Sequence, residues 1–453
     1  MPKVCFCGIS GSGMSALAQV LNARGYEVFG SDRSFDNGQD LAYKTALESV
    51  GIKVFKQDGS AVSEKTDCLY VSSAVEESIK DVKKAMELGV KIQKRSDLLA
   101  EIFNAVPLNI AVGGTSGKTT LTAMIGFVLD KLGKNPTVIN GGLLKNYTHQ
   151  KGIPNVILGG NELCVVEADE SDGSIEKYNP YVAVVNNITI DHKPIEELQE
   201  LFSDFILRAK YGVVNLDCKN SEVLLKLKAN LKTFSIKNSK ADVFLTDIKP
   251  LKNGVSYKLG GQVFTLNLIG AFNVLNAAAA MAALMCLDIL PQDVAKALES
   301  FTGTKRRLDV IGTRKGVTVI DDFAHNPDKV LASMSALRDY EGRLLVMFQP
   351  HGFAPMRMMG REIMESFVKT MQKDDRLFVP EIFYAGGSVV KDISSKDLVA
   401  HAVKSGLQAQ FFENRDEVKK HILKVVEPGD RIVIMGARDN SLPAFCEQIL
   451  SEI

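Results

Sequence analysis

Leu108-Asn109-Ile110-Ala111-Val112-Gly113-Gly114-Thr115-Ser116-Gly117-Lys118-Thr119-Thr120 is the stretch whose reading decides the fold. Its first five residues read as a buried strand, and the apolar spacing after Lys118 predicts a helix near 118–132. Between them the glycines let the backbone fold tightly, so that successive N–H groups of Gly114, Thr115, Ser116, Gly117 and Thr120 can surround a phosphate at the positive end of the helix. Lys118 is placed to reach β- and γ-phosphates, and the Thr119 hydroxyl to coordinate Mg²⁺. A strict P-loop has four residues between its glycines, whereas Gly113 and Gly117 enclose three. The competing reading is a glycine turn with a solvated lysine; a strand, glycine loop, Lys-Thr and helix in that order favour phosphate.

Other strand ends carry chemistry of the same kind. Glu167-Ala168-Asp169-Glu170-Ser171-Asp172 closes the apolar run Cys164–Val166, and Asn186-Asn187-Ile188-Thr189-Ile190-Asp191-His192 follows Val182–Val185. Open α/β sheets bind ligands outside the carboxyl ends of their strands, so Glu167 and His192 are expected in the crevice of the glycine loop, as a further Mg²⁺ site. An acidic run is otherwise a solvated edge, and a lone histidine a satisfied loop residue. Near the N-terminus, Gly8-Ile9-Ser10-Gly11-Ser12-Gly13-Met14 lies at a first βα turn, with Asp32 at the end of the next strand. That spacing is G-x-x-G-x-G and not the dinucleotide G-x-G-x-x-G, so it reads as a pyrophosphate-binding turn of some nucleotide, the alternative being a plain tight turn. Later come Asn273 and Asn276 opening a helix, Lys305-Arg306-Arg307, Asp321-Asp322-Phe323-Ala324-His325-Asn326-Pro327, Gln349-Pro350-His351-Gly352, and Gly436-Ala437-Arg438. Asparagines and an arginine suit the adenine and phosphates of a nucleotide; singly, each is equally a cap or a surface pair.

Short apolar runs alternate with helix-period segments over the whole chain, the pattern of βαβ units and parallel sheets. At roughly 150 residues per domain, 453 residues make about three. Pro107 precedes a fresh strand, and a third block begins near Gly303. The expected architecture is therefore α/β in three consecutive domains, 1–106, 107–302 and 303–453: a Rossmann-like N-terminal domain, a P-loop-type central ATPase domain and a Rossmann-like C-terminal domain. Lysine plus arginine and aspartate plus glutamate each total 54, a balance without the basic footprint of a nucleic-acid binder. Seven scattered cysteines, never spaced C-x-x-C, read as buried free thiols of a reducing cytosol. The opening segment Lys3–Gly8 is strand-like and leaves no room for a signal peptide, and the longest apolar stretch, Ala277–Leu287, is too short for a membrane span of about 20 residues. A cytoplasmic protein with no membrane or nucleic-acid partner is expected.

Taken in order, GISGSGMSALA (8–18), GTSGKTT (114–120), EADESD (167–172), NITIDH (187–192), FNVLNA (272–277), Arg306-Arg307 and DDFAHNP (321–327) resemble the Mur ligase family over nearly the whole chain. Within the family the chain is most similar to the members that join L-alanine to UDP-N-acetylmuramate. The resemblance implies an N-terminal domain for the UDP-sugar, a central domain for ATP, and a C-terminal domain that closes over both and brings in the amino acid. It implies ATP and Mg²⁺ as cofactors, an acyl phosphate intermediate, and a monomer or homodimer. Lys118, Glu167 and His192 become the catalytic set, with Thr119 and Glu167 on one Mg²⁺ and His192 on a second. Asn273, Arg307, Asp322 and His325 would contact ATP. Gly8, Ser10, Gly11, Gly13, Met14, Asp32, Ser72 and Ser73 would hold the UDP part, and His351 and Arg438 would lie on the acceptor side. Three positions depart from the alanine-adding pattern: Lys193-Pro194-Ile195 where an aspartate usually follows Asp-His, Asn326 in place of a second histidine, and Gly352 in place of an arginine. A muramate:tripeptide recycling ligase or another acceptor therefore stays open. A dehydrogenase using the N-terminal turn would leave Lys118, Glu167 and His192 without work, and their retention argues against a catalytically silent homologue.

Overall fold

The computed structural model describes the chain except residues 73–75, 172, 191–192, 385–389 and 438, so Ser73, His192 and Arg438 lie outside the described residues. Three sheets follow one another. The first is all-parallel, in the order β3-β2-β1-β4-β5, from β1 (Lys3–Cys7), β2 (Glu27–Ser31), β3 (Lys53–Phe55), β4 (Cys68–Val71) and β5 (Lys91–Lys94). Helices α1 (Ser12–Ala23), α2 (Arg33–Asp36), α3 (Leu41–Ser49), α4 (Lys80–Glu87) and α5 (Arg95–Asn104) connect them. The strand order reverses between β1 and β4, which leaves a crevice at the end of β1, where Gly8 begins its turn.

The second sheet has ten strands, β6 (Leu108–Gly113), β7 (Thr137–Ile139), β8 (Val156–Ile157), β9 (Leu163–Glu167), β10 (Val182–Val185), β11 (Tyr211–Asn215), β12 (Leu231–Ser235), β13 (Val243–Leu251), β14 (Gly254–Leu259) and β15 (Gln262–Leu266). Their order is β15-β14-β13-β12-β11-β10-β6-β9-β7-β8. Central β6 runs parallel between β9 and β10, which brings the glycine loop, Glu167 and Asn186 to three neighbouring strand ends. These strands read as unbroken apolar runs because helices cover both faces of a parallel sheet. The helices are α6 (Lys118–Lys131), α7 (Ile195–Arg208), α8 (Ala271–Met285) and α9 (Pro291–Leu298). The alanines at 277–280 on α8 are fully buried, so the long apolar stretch is a core helix.

The third sheet, in the order β16-β17-β21-β18-β19-β20, is parallel except for β16 against β17. It comprises β16 (Asp309–Arg314), β17 (Val317–Asp322), β18 (Leu344–Phe348), β19 (Arg376–Pro380), β20 (Ala409–Phe412) and β21 (Arg431–Met435). Its helices are α10 (Pro327–Leu337), α11 (Phe353–Thr370), α12 (Ser395–Lys404), α13 (Arg415–Val425) and α14 (Leu442–Glu452). By compactness the chain divides into one unit of residues 1–247, 257–266 and 274–304 and a second of 248–256, 267–273 and 305–453. All seven cysteines are free and six are buried. Among the described residues no helix is long and apolar enough to cross a membrane.

Candidate active site

In the first unit the glycine loop turns on two left-handed residues, Gly114 at φ +123° and Gly117 at φ +85°, the second directly before α6. A Cβ on Gly117 would lie 2.5 Å from Asn186 Nδ2, so the position is closed to any side chain. Asn187 braces the loop from the end of β10. Its Oδ1 accepts from Ser116 N–H at 2.9 Å and from the Thr115 hydroxyl at 2.8 Å, and its Nδ2 donates to the Ser116 carbonyl at 3.0 Å. Asn186 adds bonds from Nδ2 to the Ser116 carbonyl and to Asn276 Oδ1, both at 3.0 Å.

Lys118 Nζ donates to the Gly114 carbonyl at 2.8 Å and pairs with Glu170 Oε2 at 2.6 Å, its ammonium folded over the loop. Glu170 is almost wholly buried, so the pair is shielded from solvent and stronger than a surface ion pair. Beside it, burial raises the Asp169 carboxyl, but hydrogen bonds from Ser171 and the Lys118 charge outweigh that and hold it below its ordinary value. Thr119 Oγ1 donates to Glu167 Oε2 at 3.0 Å, while Glu167 Oε1 accepts from Gly141 N–H. A hydroxyl and a carboxylate are hard oxygen donors of the kind Mg²⁺ takes with phosphate oxygens completing its shell.

The N-terminal turn is built as tightly. Gly8, at φ +86°, and Ile9 both donate N–H to the Ser31 carbonyl, at 2.8 and 3.1 Å. Asp32 Oδ2 accepts the Ser10 N–H at 2.9 Å and the Ser10 hydroxyl at 2.7 Å, and its Oδ1 caps α2 through Ser34 N–H at 2.9 Å. The carboxylate thus pins the turn to the end of β2. Gly11 precedes α1, Met14 is buried in the core, a Cβ on Gly13 would come within 3.0 Å of the Arg95 side chain, and Ser72 lies half-buried just after β4.

In the second unit, two guanidinium groups, Arg306 and Arg307, each lie 4.9 Å from the centroid of the Phe323 ring. Arg306 also donates to the Gly436 carbonyl at 2.6 Å and lies 3.6 Å from Asp321 Oδ1. Burial pushes the Asp321 carboxyl up to about 7, against the lowering effect of Arg306. Asp322 is raised by burial too, and its Oδ1 accepts Leu308 N–H at 3.1 Å. His325 packs edge-on to His351, ring centroids 5.6 Å apart, and burial lowers its imidazole to about 4, so it is neutral at pH 7. Asn273 Nδ2 donates to the Ile269 carbonyl at 2.8 Å.

Comparison with known proteins identifies the family. Residues 3–106 match the Mur ligase family catalytic domain, 112–284 the Mur ligase middle domain and 306–438 the Mur ligase glutamate ligase domain. A UDP-N-acetylmuramate–L-alanine ligase of Geotalea uraniireducens is 33% identical, covering 96% of this chain and 95% of that protein. The chain belongs to the Mur ligase family. One of the same name from Geobacter sulfurreducens is also 33% identical over 96% of this chain and 94% of its own length. Among solved structures, the UDP-N-acetylmuramate-alanine ligase of Thermotoga maritima superposes with a TM-score of 0.79 at 25% identity, over 100% of this chain and 99% of that one. A murein peptide ligase of Psychrobacter arcticus shares the fold, with a TM-score of 0.68 at 21% identity over 100% and 98% of the two chains.

The departures from the alanine-adding pattern each have a local structural role. Asn326 caps α10, its Oδ1 accepting Lys329 N–H at 2.9 Å. Gly352 opens α11 at φ +70°, and a Cβ there would sit 3.2 Å from Pro355. Lys193 pairs with Glu197 one turn into α7. The sequence reading overlooked Glu170 as the partner of Lys118 and Asn187 as the brace of the loop. Both lay inside quoted motifs, but only their pairing across the sheet reveals their work.

Proposed function

We propose that this enzyme is an ATP-dependent ligase that joins L-alanine to the carboxylate of UDP-N-acetylmuramate in peptidoglycan precursor synthesis. A carboxylate oxygen of the sugar nucleotide attacks the γ-phosphorus, ADP leaves, and an acyl phosphate forms. The amine of the amino acid then attacks the acyl carbon, loses a proton, and expels inorganic phosphate as the amide forms. Lys118 moves from Glu170 onto the transferring phosphoryl group and neutralises the charge that develops there. Thr119 and Glu167 would hold one Mg²⁺, with His192 as a ligand of a second, and the metal would offset charge on the phosphate oxygens. Asn273, Arg307, Asp322 and His325 contact ATP, and Gly8, Ser10, Gly11, Gly13, Met14, Asp32, Ser72 and Ser73 hold the UDP part. His351 and Arg438 face the acceptor. In this reading residues 1–106 serve the sugar nucleotide, 107–302 bind ATP, and 303–453 bring in the amino acid and close over ATP.

The observation that carries the reading is the pairing of Lys118 with Glu170, beside Thr119 on Glu167, at the mouth of one phosphate-type loop. A nicotinamide enzyme has no use for it. The test is phosphate release from ATP with UDP-N-acetylmuramate, Mg²⁺ and a panel of acceptors: L-alanine, glycine, L-serine and the wall tripeptide. Release dependent on L-alanine is expected. Release only with the tripeptide reassigns the enzyme to recycling, and no release with any acceptor refutes the proposal.

A further inference from the structure

Asn155 lies just before β8, wholly buried, and every polar atom it has is in use. Its Nδ2 donates to the Ser12 carbonyl at 2.7 Å and to Ser15 Oγ at 3.0 Å, and its Oδ1 accepts from Gln19 Nε2 at 3.1 Å. Its main-chain N–H donates to the Ile153 carbonyl at 2.9 Å, and its carbonyl accepts Asn140 N–H at 3.0 Å. Gln19, on α1, grips the same segment: Nε2 donates to the Ile153 carbonyl at 3.2 Å and Oε1 accepts Ile153 N–H at 2.9 Å. Gly152, at φ +87°, makes room for that grip, since a Cβ on it would lie 2.2 Å from Gln19 Oε1.

The other end of this network reaches the phosphate loop. Gly141, next to Asn140, donates its N–H to Glu167 Oε1. A Cβ on Gly141 would come 2.8 Å from that oxygen, and one on Gly142 would come 2.9 Å from Thr119 Cγ2. The first turn of α1, directly after the Gly8–Met14 turn, is thereby linked through Asn155, Asn140 and Gly141 to Thr119 and Glu167. The surrounding contact is apolar: Val20 and Leu21 of α1 belong to one hydrophobic cluster with Ile139, Ile153 and Val156. Apolar surfaces alone would hold the two layers together. Directional bonds between buried amides add a fixed register, at the desolvation cost such groups carry.

We infer that Asn155, supported by Gln19, is a positioning residue for ligation, setting the sugar-nucleotide turn against the phosphate loop so that carboxylate and terminal phosphate meet at reacting distance. The inference rests on the function proposed above. A displacement of about 1 Å between reacting groups costs on the order of 100-fold in rate. The variants Asn155→Ala and Gln19→Met perturb the register from opposite sides and leave both half-sites whole. In a folded variant, kcat for UDP-N-acetylmuramate-dependent phosphate release is expected to fall about 10- to 100-fold. The dissociation constants of ATP and of UDP-N-acetylmuramate, measured separately by calorimetry, are expected to stay within about threefold, each turn being intact. A purely structural network would lower the melting temperature and leave kcat per folded molecule unchanged. That result, or failure of both variants to fold, overturns the inference. Wild-type protein that releases no phosphate overturns the functional proposal instead, and the two failures are told apart by that control.

Discussion

Replacing Gly117 by alanine tests the geometry of the phosphate loop. The residue has φ +85°, and an added Cβ meets Asn186 Nδ2 at 2.5 Å and Asn276 Oδ1 at 3.0 Å. The left-handed backbone costs an alanine about 1 kcal/mol. Displacing Asn186 breaks its bonds to the Ser116 carbonyl and to Asn276, each worth about 1 kcal/mol net, for a total near 3 kcal/mol. Gly133, just beyond the other end of α6, is the control: its φ is +70° and nothing lies within 4 Å of a Cβ there, so only the backbone cost applies. Glycine-to-alanine entropy in the unfolded chain is common to both and drops out of the comparison. Gly117→Ala should therefore be less stable than Gly133→Ala by about 2 kcal/mol, roughly a 30-fold difference in the folded-to-unfolded ratio. Urea denaturation followed by far-UV circular dichroism suits a chain without tryptophan. ATP affinity, by calorimetry, should fall at least about tenfold in Gly117→Ala and stay unchanged in Gly133→Ala. Equal stability losses in the two variants, or wild-type ATP affinity in Gly117→Ala, would refute the reasoning.

Lys118→Ala should reduce phosphate release by at least about 100-fold and leave Glu170 buried without its partner. Adding Glu170→Gln should recover stability but no turnover, and recovered turnover would remove Lys118 from the chemistry. Asp321, raised by burial from 3.8 to about 7, binds its proton more tightly in the native state than unfolded; stability from this group falls as pH rises from about 4 to 7 and is level above. Asp321→Asn should therefore gain stability relative to wild type more at pH 8 than at pH 5, read from urea midpoints. His325 has the opposite sign: lowered by burial from 6.5 to about 4, it stays neutral in the native state while the unfolded chain takes up a proton. Stability is lost as pH falls from about 6.5 toward 4, and His325→Gln should flatten that limb in the same titration.

Strands buried on both faces, such as β6, β9, β10 and β21, are legible in the sequence because apolar residues dominate them, with polar residues few: Asn109, Glu167 and Arg431. Those it passed over are short or at sheet edges: β3 is Lys-Val-Phe, β5 is Lys-Ile-Gln-Lys, and β8 has two residues. With one side open to solvent or little length to show alternation, such strands carry no periodic signal. Helix α11 begins at Phe353 and tolerates Pro355 because the proline falls in its first turn, where the missing N–H has no partner to lose. At the site, Lys118 and Thr119 were legible from local spacing, and Glu167 from its place at the end of a buried strand. Glu170 is 52 residues from Lys118 and Asn187 is 72 from Thr115, separations across which sequence carries no geometric cue.

The two departures near the acceptor loops bear on specificity through backbone geometry. Position 326 must cap α10, and asparagine does so with a side-chain oxygen; this is worth about 1 kcal/mol. Position 352 is left-handed with Pro355 against it, so a side chain there is strained by its backbone and crowded by its neighbour. The carboxamide oxygen of Asn326 is thus committed to its own helix, and Gly352 has no side chain to offer. His325, half-buried on the same loop, is held toward its neutral form by desolvation. On the function proposed above, both positions are committed to local backbone structure, so acceptor specificity is expected to rest on other residues. For that reason the acceptor panel, more than any assay of ATP chemistry, separates this enzyme from its relatives.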